Sequence, residues 1–235
     1  MKTITITDYF KAYENCIYIY SSLGDVFTGT GSKVDETVSG DRTHINVDVE
    51  DRYYPIVKAE IEDRIADIIT INYKSRYIKP RIRPAGLNDK ERELLLSAII
   101  SADLKDDKKY VLRKLYGMEN YSVDGIMNFR LKPLKEKWDE VVSYVPKSFG
   151  RRELKEFMNY LLDEKKENKV YISRRKVYDN RFRRLIKSIL LKEEDLKIVK
   201  EIILSCSTKI ELDGDLPKDD EYYLKEYFWE RISFV

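Results

Sequence analysis

A chain of 235 residues is long enough for one large domain or two small ones, with a core that needs no disulfide or metal staple. Lys and Arg number 44 against 42 Asp and Glu, so a net charge of +2 gives no global pull toward nucleic acid or an anionic membrane, and such binding needs a local patch. Hydrophobic residues at 43% permit a packed core, and only 9 Gly and 6 Pro favour long helices over a loop-rich or disordered chain.

Residues 1–53 read as β-rich. The runs 3–7, 16–20 and 45–49 alternate with period two and are dominated by β-branched and aromatic residues. Gly29, Gly31 and Gly40 fall between them as turn signals. The first run is unlike the apolar core of a signal peptide. No stretch approaches the roughly 20 apolar residues of a membrane span. Cys16 and Cys206 are too far apart to form a disulfide framework, and the expectation is a cytoplasmic protein.

The period changes near residue 55. Ile61, Ile65, Ile68 and Ile69 form one stripe of a helix running to about residue 77, which Pro80 and Pro84 end. Asn88 and Glu91 form a capping box for a helix to about residue 103. A separate short helix, 107–116, ends at Gly117. Ser122 caps the next helix, and Pro133 predicts a kink or fresh start within it before Leu134 and Trp138. Leu154, Phe157, Met158, Leu161 and Leu162 mark the buried face of a further helix.

The remainder has βαβ character. Strand 169–173 precedes a helix over 193–206, strand 209–213 ends at Gly214, and a helix over 219–230 leads to strand 231–235. The intervening helix is long enough for a crossover, so the last two strands are expected to pair in parallel. The fold class is α+β: a β-rich N-terminal part, a helix-rich central region and a small βαβ-like C-terminal element. The sharpest composition shift divides the chain into 1–53 and 54–235.

The run Ser122-Val123-Asp124-Gly125-Ile126-Met127-Asn128-Phe129-Arg130-Leu131-Lys132 resembles the signature of the YtxC-like family of sporulation proteins. That signature is a Gly-Phe-x-x-Phe-Arg-Leu-Lys stretch. The similarity extends discontinuously from about residue 60 to 235. Residues 154–162 look like the family's next helix, Val170-Tyr171-Ile172 like its strand, and 194–212 like its closing helix and strand. Ile126 stands where the family has an aromatic residue, Pro133 interrupts a continuous helix, and residues 1–53 match no part of it. The resemblance implies a sporulation-associated cytoplasmic protein that acts by binding a protein partner. The family supplies no agreed catalytic residues to carry over.

Asp124, Gly125, Phe129 and Arg130 are therefore the signature positions to follow. Phe129, at helical spacing from Ile126, is expected in the core. The Arg130 guanidinium either clamps a carboxylate or phosphate, or forms an ion pair with Asp124 or a neighbouring helix. His44 lies near Asp41 and Asp48 but beside no nucleophile arrangement. Asp48, Glu50 and Asp51 come closest to a carboxylate cluster, and solvated strand-end acids explain them equally well. No catalytic, cofactor-binding or metal-ligating set is identified, and Gly29 and Gly31 lack the Gly-Lys-Ser/Thr of a phosphate-binding loop.

Two basic stretches carry the alternative reading. Lys74, Arg76, Lys79, Arg81 and Arg83 interleave with Tyr73 and Tyr77. Arg174, Arg175, Lys176, Arg181, Arg183, Arg184 and Lys187 accompany Tyr178 and Phe182. Basic groups with aromatic neighbours suit a phosphate backbone and stacked bases. Phe182, Leu185 and Ile186 also fit the inner side of an amphipathic helix whose arginines face water or pair with Glu193, Glu194 and Asp195. A nucleic-acid surface requires these arginines to lack carboxylate partners.

Overall fold

The computed structural model describes residues 1–163, 168–192 and 195–234, with all their side chains except that of Phe10. Helices and two four-stranded sheets make the α+β fold expected from the sequence. The chain forms two compact units, Met1–Lys74 with Asp106–Trp138 and Ser75–Lys105 with Asp139–Val235. The expected boundary after residue 53 falls inside the first unit. A cut there would part the N-terminal sheet from residues 54–74 and 106–138 of the same unit.

In the first unit, strand β1 (Lys2–Tyr9) is followed by helix α1 (Tyr13–Thr30), then by β2 (Lys33–Ser39) and β3 (Arg42–Val49). The sheet order is β2-β3-β1, with both pairings antiparallel. Alternation buries Ile4, Ile6 and Asp8 of β1, and Thr43, Ile45, Val47 and Val49 of β3. The opposite face carries cross-strand polar pairs. The hydroxyl of Thr3 donates to Asp48 Oδ1 at 2.6 Å, that of Thr5 donates to Asn46 Oδ1 at 2.9 Å, and Thr7 Oγ1 lies 3.0 Å from His44 Nδ1.

The strand expected over 16–20 is instead part of α1. A longer window shows why: Cys16, Ile19, Leu23 and Phe27 are all buried and recur every three or four residues. Gly31, at φ +63°, ends the helix in the left-handed conformation that glycine adopts without strain.

Helix α2 (Tyr54–Asp67) continues through a π-helical turn (Ile68–Tyr73) into α3 (Lys74–Ile78). Asp67 and Lys74, which flank this turn, are both buried. One long helix, α4 (Asp89–Leu115), stands in place of the two expected, since no breaker separates buried Leu104 from buried Val111. Its capping box is present: Asn88 Oδ1 accepts the Glu91 N–H at 2.9 Å, and Glu91 Oε2 accepts the Asn88 N–H at 3.0 Å.

The short strand β4 (Asn120–Ser122) joins β1 in parallel. Helix α5 (Val123–Phe129) follows, and α6 (Lys132–Ser143) restarts at Pro133 as expected. Ile6 and Ile45 border a small cavity with Cys16, Ile19, Ile68 and Val123, which places α1, the π turn and α5 over the buried face of the sheet.

In the second unit, helix α7 (Arg151–Asp163) precedes strands β5 (Lys169–Ser173) and β6 (Lys176–Tyr178). Then come α8 (Lys197–Leu204), β7 (Lys209–Asp213), α9 (Lys218–Phe228) and β8 (Ile232–Phe234). The order is β6-β5-β7-β8, with β5, β7 and β8 parallel and β6 antiparallel. The parallel pairing of β7 with β8 matches the expectation. Glu193, Glu194 and Val235, assigned above to the ends of a helix and a strand, lie outside the described residues. Val170, Ile172, Val177, Ile210 and Leu212 form the buried face of this sheet.

Candidate nucleic-acid interface

The signature does not have the interior role expected of it. Buried Val123, Met127 and Leu131 form its inward stripe, four residues apart. Two positions beyond Met127, Phe129 falls on the opposite side of the helix and is 87% exposed. Arg130 is also exposed and makes no side-chain hydrogen bond or ion pair among the described residues. Both expectations are thus corrected. Asp124 belongs to another arginine: Arg42 grips it through two bonds of 2.7 and 2.9 Å, and Ser122 donates to it at 3.0 Å. Burial alone would raise the Asp124 carboxyl, but the bonds from Arg42 and Ser122 outweigh it and hold the group below its ordinary value. Gly125 sits where an added Cβ would lie 2.8 Å from Ser122 Oγ, so it lets this turn close tightly.

The first basic stretch divides. Lys74 is no surface residue: it is wholly buried, with Nζ 2.8 Å from Asp107. Arg81 lies over the Tyr77 ring, 4.1 Å from its centroid, and 3.8 Å from Asp139. Lys79 pairs with Glu93 at 2.8 Å. Arg76 and Arg83 form no ion pair among the described residues.

The second stretch is not an amphipathic helix. Ser173 pairs with Lys176 across a hairpin, so Arg174 and Arg175 alone make the turn. Their φ angles are +49° and +61°, the two left-handed residues of a type I′ turn, where Asn-Gly is the usual choice. After β6 the chain folds back, and Arg184 bridges to Tyr178. Phe182 stands at the tip of this bend at φ +58°. Asp179 fixes the bend: its Oδ1 accepts the Arg181 and Arg183 N–H groups at 2.8 and 2.9 Å, and its Oδ2 accepts Arg183 Nε at 2.9 Å. Burial would raise the Asp179 carboxyl, but these bonds, the Arg183 backbone first, hold it low.

Register then defines one open face. Tyr171 alternates with buried Val170 and Ile172, so it points away from the core. Tyr178 and Glu211 lie directly beside it, with Arg184 beyond Tyr178 and Ser233 beyond Glu211. The next row holds Lys176, Ser173 and Asp213. Phe182 stacks on Tyr171, ring centroids 4.8 Å apart, and remains 69% exposed. The acids of this face are already engaged: Lys169 pairs with Glu211, and the Ser173 hydroxyl donates to Asp213 at 3.0 Å. Among Arg174, Arg175, Arg181, Arg183 and Arg184, only Arg183 has a carboxylate partner among the described residues, namely Asp179. The expected pairing with acids around residue 195 is absent for Asp195 and concerns undescribed residues at Glu193 and Glu194.

The remaining candidates are structural. His44 belongs to the polar ladder of the first sheet. Asp48 accepts from Thr3, and Glu50 pairs with Arg52. Burial first, then the charges of Glu36, Asp8 and Glu14, push the Cys16 thiol up to about 12, which leaves no thiolate at neutral pH. Cys206 Sγ lies 3.0 Å from Ser101 Oγ. No group of three or more His, Cys, Asp or Glu suited to a metal occurs among the described residues. No described helix is long and apolar enough to cross a membrane.

Sequence reasoning missed Tyr171, because strand parity did not say which face would stay uncovered. It also missed the buried polar residues of the first unit. Asp107 there receives Lys74, Lys137 and the Trp138 Nε1–H, each at 2.8 Å. Asp67 receives the Tyr18 hydroxyl and Lys108, both at 2.8 Å. No family model, curated protein or solved structure matches the chain.

Proposed function

We propose that this chain works by binding, and that the open face of its second sheet takes single-stranded nucleic acid. The observation that carries this reading is the Phe182 ring. It is held out over Tyr171 in a left-handed backbone conformation, in a segment whose Arg174, Arg175, Arg181 and Arg184 have no acid partner among the described residues. A base can stack on the outer side of Phe182 while Arg174, Arg175, Arg181 and Arg184 meet the phosphates. Stacking on a sheet face needs an unpaired base, which favours single strands over duplex. No base-reading motif accompanies the face, so the expected binding is sequence-tolerant.

The test is fluorescence anisotropy with a labelled deoxythymidine oligomer across a salt series. The logarithm of affinity should fall with the logarithm of salt, with a slope of about −0.7 for each phosphate contacted. Absence of binding at low salt would remove this reading.

The resemblance to the YtxC-like family supports a second reading, a sporulation-associated cytoplasmic protein with a protein partner. One observation favours it: Phe129 and Arg130 are presented to solvent. Phe129→Ala is therefore expected to change stability by no more than about 0.5 kcal/mol, while reducing partner capture from sporulating cells. Destabilisation comparable to loss of a core aromatic, about 3–5 kcal/mol, would show the residue to be structural. Unchanged capture would detach the signature from partner binding.

A further inference from the structure

The second unit contains a cleft of about 780 Å³, within the range of small-molecule sites. It lies between the segment around Pro80, the first half of α4 and the start of α8. Its apolar lining is Pro80, Ile82, Leu96 and Leu196, of which the last three are buried. Six cationic side chains also line it: Arg76, Lys79, Arg83, Lys90, Arg92 and Lys200. Among the described residues, the acids of the lining are Asp89, Glu93 and Asp195.

Glu93 lies 2.8 Å from Lys79 and 3.9 Å from the fully buried Lys200. Arg92 pairs with Asp89 at 2.9 Å, and Lys90 with Asp219 at 2.6 Å. Arg76 and Arg83 enter no ion pair among the described residues. Two guanidinium forks without an ion pair among the described residues therefore reach this cleft. A planar fork matches the oxygens of a phosphate, and two such forks favour several phosphates over one. The apolar lining offers a surface for a flat ring.

We propose that this cleft binds a nucleoside polyphosphate, with the phosphates at Arg76 and Arg83 and the base against Ile82, Leu96 and Leu196. The cleft shares none of its lining with the open sheet face, so the proposal does not rest on the single-strand reading.

The test is isothermal titration of the full chain with ATP, adenosine and inorganic tripolyphosphate. ATP should bind one to one and more tightly than either fragment. Exposed Arg76 and Arg83 can be changed without disturbing the core. Arg76→Ser with Arg83→Ser should weaken ATP at least about tenfold, the scale of one lost charge-assisted hydrogen bond. Phe182→Ala should leave ATP affinity unchanged, which separates this cleft from the sheet face. The proposal is overturned if ATP fails to bind at millimolar concentration, or if the double variant binds it undiminished. Tripolyphosphate binding as tightly as ATP would also overturn it, since the base would then contribute nothing.

Discussion

Replacing Asp107 by alanine is expected to destabilise the first unit by about 3–5 kcal/mol, the cost of stripping a buried ion of its partner. Lys74 and Asp107 are 0% and 1% exposed. The carboxylate also takes Lys137 and the buried Trp138 indole N–H, so its loss strands several donors together. Urea unfolding of the variant reports the change, and a loss below about 1 kcal/mol would refute the account. The ion pair itself need not be net favourable. Changing Lys74→Met and Asp107→Leu together should recover much of the loss, because no buried charge is then left alone.

The same residue sets a pH dependence. Burial alone would raise the Asp107 carboxyl, but Lys74, Lys137 and Trp138 outweigh burial and hold it below its ordinary value. A depressed carboxyl contributes stability that is present above its unfolded pKa of about 3.9. That contribution disappears as pH falls through the folded value. The gap between the unmodified protein and Asp107→Ala should therefore be widest near neutrality and close in acid.

Arg174→Asn with Arg175→Gly is expected to make the protein more stable and a weaker binder. Each arginine occupies a left-handed position that costs an L residue roughly 1–2 kcal/mol. Asn-Gly suits the type I′ turn, although glycine also frees the unfolded chain by about 0.4–1 kcal/mol. The net gain should be about 1 kcal/mol. Loss of two phosphate contacts should flatten the salt dependence of single-strand binding by about 1.4, two contacts at 0.7 each. A stabilised variant with unchanged affinity would exclude this turn from the interface. Opposed signs would explain why arginines stand where a hairpin favours Asn-Gly: strain tolerated for function.

Local chemistry made part of this architecture legible. The Asn88–Glu91 box, the restart at Pro133 and the parallel return of residues 232–234 each follow from a few adjacent residues or from one crossover length. The failures have a different origin. Residues 16–20 alternate like a strand, and only the recurrence through Leu23 and Phe27 shows the helix. Phe129 was misplaced because spacing from Ile126 ignores the stripe that Leu131 completes. Lys74 finds Asp107 across 33 residues of sequence, beyond the reach of any local pattern. The candidate interface was legible in composition but not in geometry. The arginines and Phe182 stood out, whereas their hairpin opposes turn propensity and the uncovered sheet face depends on tertiary packing.

The two units are interleaved along the chain, which changes hands at residues 74/75, 105/106 and 138/139. Growth on the ribosome must therefore begin each unit before the other is complete. Strand β1 emerges early but waits for β4, at residues 120–122, to gain its parallel neighbour. Buried Leu94, Leu95 and Ala98 appear well before the strands and helices of residues 139–235 that complete their unit. Apolar surface on both nascent units stays unmet through much of translation, a setting for slow folding and a demand on chaperones. It also means that no single cut in the chain releases either unit whole.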